Sequence, residues 1–259
     1  MSGEGTPPGA AWYVYGVVPA ATREEGTGVA SRPVDLMAEG DVAALVSLVP
    51  VDEFGEGPLK ANLNDRDWLE RTAREHEDVL ERVLAGTAVI PFRLCTIYES
   101  SERVREFLAS RGVALADLLG RLDDRVELGV KAYFDQDGFA GTSEVGEPQS
   151  GRDYLLRRQR EREVGEEAAR FKAEVARASH ERLAAAAEEA RANPPQPPEL
   201  SGRTEEMLLN GAYLVARRDA GLRAAVAELE SLYGGRGVAY EVTGPWPPYN
   251  FVPREVVET

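Results

Sequence analysis

Apolar residues recur along this chain with two different periods, and the switches between them mark out its elements. Trp12-Tyr13-Val14-Tyr15-Gly16-Val17-Val18 is rich in aromatic and β-branched side chains and halts at Pro19, the composition of a strand. Val34–Ala38 and Asp41–Val49, joined through Glu39-Gly40, predict a hairpin. Asp52–Leu63 holds Gly55, Gly57 and Pro58 among acids with little apolar content, and a loop is expected there. The period then changes. Leu69, Ala73, His76, Leu80 and Val83 recur every three or four residues, which predicts a helix capped by Asn64 or Asp65 and running to about Ala85. Gly86 stops it, and Thr87–Ile90 is a short buried strand closed by Pro91. After Pro91-Phe92-Arg93-Leu94-Cys95-Thr96-Ile97-Tyr98, Ser100 or Ser101 caps a helix to Ser110, and a separate short helix covers Ala114–Leu122.

Arg125–Phe134 alternates charged and apolar residues with period two, as a strand with one wet face does. Asp135–Ser150 is Gly-rich and read as a loop. From Gly151 to Ala192 the chain is charged and alanine-rich, a helix of about 60 Å at 1.5 Å per residue. Its seam is narrow, running through Ala168, Phe171, Val175, Ser179, Leu183, Ala186 and Ala190, and Gly165 is a place for it to bend. Asn193-Pro194-Pro195-Gln196-Pro197-Pro198 ends it. Thr204–Arg217 reads as a strand, Gly221–Tyr233 as a helix released by Gly234-Gly235, and Val238–Val242 as a last strand whose ladder stops at Gly244-Pro245. Thr243–Val252 then holds three prolines together with Trp246, Tyr249 and Phe251. Three readings of this segment are open: a stiff strap closing the C-terminal half, a partner-binding strip, or a pocket wall. The expected fold class is α+β in two domains: a ferredoxin-like N-terminal domain over 1–123, and a second ferredoxin-like α+β domain over 124–259 carrying the helix 151–192 and the terminal strap.

Charge narrows the function. Asp and Glu number 45 against 30 Lys and Arg in 259 residues, a formal net charge of -15, which repels phosphates and anionic lipid heads. Neither nucleic acid nor a membrane is expected as partner. Met1–Ala10 lacks the basic and apolar character of a leader, and Val42–Val51 is far too short to span a bilayer, so a cytoplasmic protein is expected. Cys95 is the single cysteine, which removes intrachain disulfides and paired-cysteine zinc spacings. With His76 and His180 the only histidines, a histidine-rich metal centre is excluded, and no Gly-rich nucleotide motif or serine-hydrolase elbow occurs; no cofactor is expected.

The remaining candidates for chemistry are few. His76 lies in the apolar stripe of its helix, a core histidine or else a ligand or general base, with Glu75 and Glu77 pointing elsewhere. Cys95, just past a buried strand, is a packed thiol or, with His76 nearby, half of a thiolate–imidazolium dyad. Arg93 suits pairing with an acid or binding of a carboxylate. Arg157–Arg162, interleaved with Glu161 and followed by Glu163, reads as a solvated, ion-paired helix surface or else a docking site for an acidic partner.

Four stretches together carry a resemblance. Tyr13-Val14-Tyr15-Gly16-Val17-Val18, the His76 helix leading into Val89-Ile90-Pro91-Phe92-Arg93, Gly151-Arg152-Asp153-Tyr154-Leu155-Leu156-Arg157-Arg158, and Gly244-Pro245-Trp246-Pro247-Pro248-Tyr249-Asn250-Phe251 resemble the gas vesicle protein GvpL/GvpF family, in the expected order over nearly the whole chain. After Pro-x-Arg this family often continues Phe-Gly-Thr; here the residues are Leu94-Cys95-Thr96, so the turn is expected to differ. The resemblance implies a non-enzymatic accessory protein of gas vesicle formation that binds the hydrophobic shell protein GvpA, with other accessory proteins as further partners, located in the cytoplasm and on the vesicle. Expected binding residues are Tyr13, Tyr15 and Val17 at a strand edge, Phe92 and Arg93, and Trp246, Tyr249 and Phe251. The alternative is a small-molecule enzyme with a ferredoxin-like pocket using His76 and Cys95.

Overall fold

Strand β1 (Ala10–Pro19) is buried almost throughout, with Tyr13, Tyr15, Val17 and Val18 all 0% exposed. A strand covered on both faces needs no polar alternation, and its run of consecutive aromatic and aliphatic residues fits that. In the computed structural model, which describes residues 6–140, 151–197, 203–218 and 220–257, β1 is the interior strand of the first of two antiparallel sheets. On one side it pairs with β3 (Val42–Pro50), itself paired with β2 (Asp35–Glu39) as the predicted hairpin. Along its other side lie two short strands, β4 (Ile90–Pro91) and β5 (Ile97–Tyr98).

The β1–β3 register slips between Val14 and Gly16, a bulge at Tyr15. Gly16 is needed where β1 meets β4, because an added Cβ would run into the Ile90 carbonyl. Gly16→Ala should therefore cost about 2 kcal/mol by prising β4 from β1, read as a lower midpoint in denaturant with little change in slope.

Two helical expectations of this unit change. Residues 52–63 are not a loop; they form α1 (Val51–Phe54) and α2 (Glu56–Asn62), separated at Gly55. Phe54, 1% exposed, packs its ring against Tyr13 and Trp68, and the Trp68 indole N–H donates to the Glu53 carboxylate at 2.7 Å. One buried aromatic thus holds a segment whose composition argues for a loop. Helix α3 (Arg66–Leu84) starts as predicted, the Asp65 carboxylate accepting the Asp67 and Trp68 N–H groups. The two helices expected beyond Ser100 are one, α4 (Ser101–Leu122), capped by Ser100. Gly112 in its middle looks into open space, and a single glycine costs only about 1 kcal/mol, while Leu108 and Leu115 continue the buried stripe past it.

The second sheet has the order β7-β8-β6-β9, where β6 is Arg125–Phe134, β7 Glu189–Asn193, β8 Glu206–Ala216 and β9 Val238–Trp246. Short α5 (Gln136–Ala140) follows β6, and residues 141–150 of the predicted Gly-rich loop lie outside the described residues. The long helix α6 spans Gly151–Ala184, and its predicted seam through Ala168, Phe171, Val175, Ser179 and Leu183 is buried. It does not reach Ala192. Beyond a turn, the Glu188 N–H donates to the Leu214 carbonyl and Glu189–Asn193 pairs with β8, because a strand edge offers these alanine-rich residues a full ladder. Helix α7 (Gly221–Tyr233) completes this group. Strand β9 continues through Gly244-Pro245 to Trp246 instead of stopping at Val242, which the sheet tolerates because β9 is an edge strand, half of whose N–H groups face away from its one partner.

The chain divides into two compact units, one of residues up to Val126 together with those from Trp246 onward, the other Glu127–Pro245. The terminal segment, assigned by sequence order to the second half, therefore packs with the first. Phe251, 1% exposed, drives that placement, and the short α8 (Arg254–Val257) follows it.

Candidate functional site

Four elements of the first unit converge on one group of side chains, with Tyr13 and His76 buried and Glu77, Cys95 and Tyr249 half-buried around them. Strand β1 supplies Tyr13, α3 supplies His76 and Glu77, the turn between β4 and β5 supplies Cys95, and the segment after β9 supplies Tyr249. The Tyr13 hydroxyl accepts the Cys95 backbone N–H at 3.1 Å and lies 2.8 Å from His76 Nδ1. On the other side of the ring, His76 Nε2 is 3.2 Å from the Tyr249 hydroxyl, which donates to Glu77 Oε1 at 2.9 Å. These bonds select one tautomer. Because the Tyr249 proton goes to Glu77, its oxygen takes the Nε2–H of His76, and Nδ1 accepts from Tyr13.

The electrostatics agree with a neutral ring. Burial lowers the His76 pKa to about 4, opposed by the Phe92 carbonyl, and burial pushes the Tyr13 phenol far above its ordinary value. The Glu77 carboxyl is raised, first by burial and then by nearby Glu81, with the Tyr249 bond opposing; its Oε2 has no hydrogen-bond partner among the described residues. Tyr15 anchors a neighbouring set: its hydroxyl donates to Ser47 Oγ and accepts the Val29 N–H, both at 2.9 Å, and Ser47 donates to the Pro33 carbonyl at 2.8 Å. Glu75 accepts the Ala30 N–H at 2.9 Å.

His76 and Cys95 are thus near each other in the fold, with Tyr13 bonded to both the imidazole and the Cys95 backbone. His76 is 1% exposed with both ring nitrogens bonded to phenols, and burial pushes the Cys95 thiol up to about 11, so the reactive thiolate is scarce near neutrality. The turn itself answers the family difference noted above. Cys95 has φ 61, the left-handed region that glycine occupies without penalty, so the backbone a glycine would favour is retained. Cys95→Gly should be more stable than Cys95→Ala by about 1 kcal/mol, checked by paired chemical denaturation.

The predicted binding residues separate. Tyr13, Tyr15 and Val17 are not at an edge; β1 is flanked on both sides and these side chains are fully buried, so they offer no docking surface. Phe251 is buried too, its carbonyl accepting from the Arg121 guanidinium at 2.8 Å. Phe92 is likewise buried, 2% exposed, so its side chain is not a free docking surface; Arg93 and Trp246 are exposed, and Tyr249 is half-buried. Phe92 and Arg93 line an open groove of about 680 Å³ with Ile97, Tyr98, Glu99 and Arg103, and Val257 at one wall. Sequence reasoning missed the role of Glu77, which it left pointing away, because its partner Tyr249 is 172 positions distant. Among the described residues, no cluster of His, Cys, Asp and Glu suits a metal ion, and no helix is long and apolar enough to cross a membrane.

Comparison with known proteins gives a consistent answer. The family profile described as "Gas vesicle synthesis protein GvpL/GvpF" matches residues 11–253. Gas vesicle protein L of Streptomyces sp. (strain CB03234) is 35% identical over 252 residues, covering 92% of this chain and 91% of the relative. Gas vesicle protein F of the same strain is 30% identical over 257 residues, covering 93% and 98%. The crystal structure of GvpF from Anabaena sp. PCC7120 superposes with a TM-score of 0.69 at 19% identity, covering 94% of this chain and 96% of that one. That of GvpF from Microcystis aeruginosa gives 0.65 at 21% identity, covering 93% and 98%. The two crystal structures speak for a shared mixed α/β fold, and the profile with the two Streptomyces relatives for more than fold: this chain belongs to the GvpL/GvpF family of gas vesicle synthesis proteins.

Proposed function

We propose that this chain is a non-enzymatic cytoplasmic accessory protein that binds the hydrophobic shell protein GvpA and assists nucleation or assembly of the gas vesicle, working through two ferredoxin-like domains. Family membership over residues 11–253 is the observation that carries the reading. The physical support is a sheet with strands left at its edges, since an exposed edge is a template for another chain, and a strongly acidic surface that keeps a complex with an apolar client dispersed. The contact surface we assign is the one at Phe92-Arg93, where Arg93 is exposed and the buried Phe92 backs it, with Trp246 and Tyr249 as secondary contributors. A neutral, fully bonded His76 and a Cys95 held as thiol favour binding over catalysis by these two groups.

The test is retention of purified shell subunit by the immobilised full-length protein. Saturable retention, with slowed hydrogen exchange around Phe92–Tyr98, is expected. No retention by the intact protein would overturn the reading.

A further inference from the structure

The groove beside β5 carries more basic than acidic side chains on a chain that is acidic overall. Among the described residues that line it, Arg93 and Arg103 stand against one carboxylate, Glu99, on a chain of net charge -15. Two of its lining rings, Phe92 and Tyr98, are backed by the buried Phe107, 5.5 Å and 6.0 Å away, with the Arg111 guanidinium 4.9 Å from the Phe107 centroid. Arg103 pairs with Glu106 only at 3.5 Å and with both side chains about 70% exposed, an ion pair worth little that yields to a better carboxylate. Beside this rim, β4 and β5 form the outer margin of the first sheet, each paired with β1 on one side and with no described strand on the other.

From this combination we propose that the groove takes an extended, carboxylate-bearing segment of a partner polypeptide, added as a strand along β5 with its acidic side chains over Arg93 and Arg103. Main-chain ladder bonds supply affinity, and the two guanidiniums supply selection for acid. A long polyanion is a poor occupant, because the cationic island is small and the acidic surface around it repels whatever extends beyond. This inference rests on the client-binding reading and names the chemistry of the client segment.

The probe is a short fluorescein-labelled peptide of alternating valine and glutamate, titrated into the full-length protein at low and high salt and followed by anisotropy. Binding is expected, weakening with salt, with slowed exchange of the Ile97 amide, which points away from β1. A lysine counterpart should not bind, and replacing the valines by proline, which abolishes ladder donors, should weaken binding about tenfold or more. The Arg93→Glu, Arg103→Glu double variant should lose about tenfold or more. Arg103→Glu alone, on the exposed face of α4, should lose several-fold without disturbing the fold. Equal binding of the lysine peptide, no binding of the glutamate peptide, or an affinity unchanged in both variants would overturn the groove assignment. Because the probe is not the shell subunit, the outcomes separate. Shell-subunit retention by the double variant removes the groove and leaves the client reading standing, whereas peptide binding without retention does the reverse.

Discussion

Replacing His76 with alanine is expected to lower the folding free energy by about 3–5 kcal/mol, the largest single effect in the first unit. Two terms add. Removing a ring that is 1% exposed leaves a cavity under Tyr13 and Tyr15, and it strands two phenols, Tyr13 losing the acceptor 2.8 Å away and Tyr249 its donor at 3.2 Å. Tyr249 is also bonded to Glu77, so the segment after β9 should loosen, and Trp246 beside it, 37% exposed, reports that as a shift in fluorescence. His76→Phe fills the volume without restoring the bonds and should fall between alanine and wild type. Chemical denaturation of the three proteins gives the ranking, and an alanine variant within about 1 kcal/mol of wild type would contradict the network described here.

Acid should destabilise the same unit through the same residue. His76 titrates at about 4 when folded and at its ordinary 6.5 when unfolded. Between those values the unfolded chain holds a proton that the folded chain refuses, so the stabilisation is complete above pH 6.5 and is lost as pH falls toward 4. The loss amounts to about 3 kcal/mol. Glu77 works in the opposite sense. Its folded pKa is raised, so its contribution is present at low pH and disappears as pH rises through the folded value. Glu77→Gln should therefore make the acid-side loss steeper, and His76→Phe should flatten it. Denaturation midpoints between pH 7 and pH 4 check both signs.

The pattern of apolar positions was sufficient for most elements. It placed β1, the β2–β3 hairpin, the Asp65 cap, the buried seam of α6 and the stripe carrying His76, because each follows from side-chain periodicity or a local cap. It was also enough, through motifs spread over the chain, to reach the family. Where it failed, the deciding contact was distant in sequence. Residues 52–63 became helical because Phe54 found Tyr13 and Trp68, and Glu189–Asn193 left the helix because β8 offered an edge.

The site shows the same division more sharply. A histidine in an apolar stripe is readable as buried from spacing alone, but its tautomer, its neutrality and the pairing of Glu77 depend on Tyr249, brought back from 173 positions away to His76. Likewise, nothing local distinguishes Tyr13 as an interior residue from Tyr13 at a sheet margin. That is decided by β4 and β5 closing its second side, and strand neighbours are a property of chain topology, which side-chain periodicity does not encode.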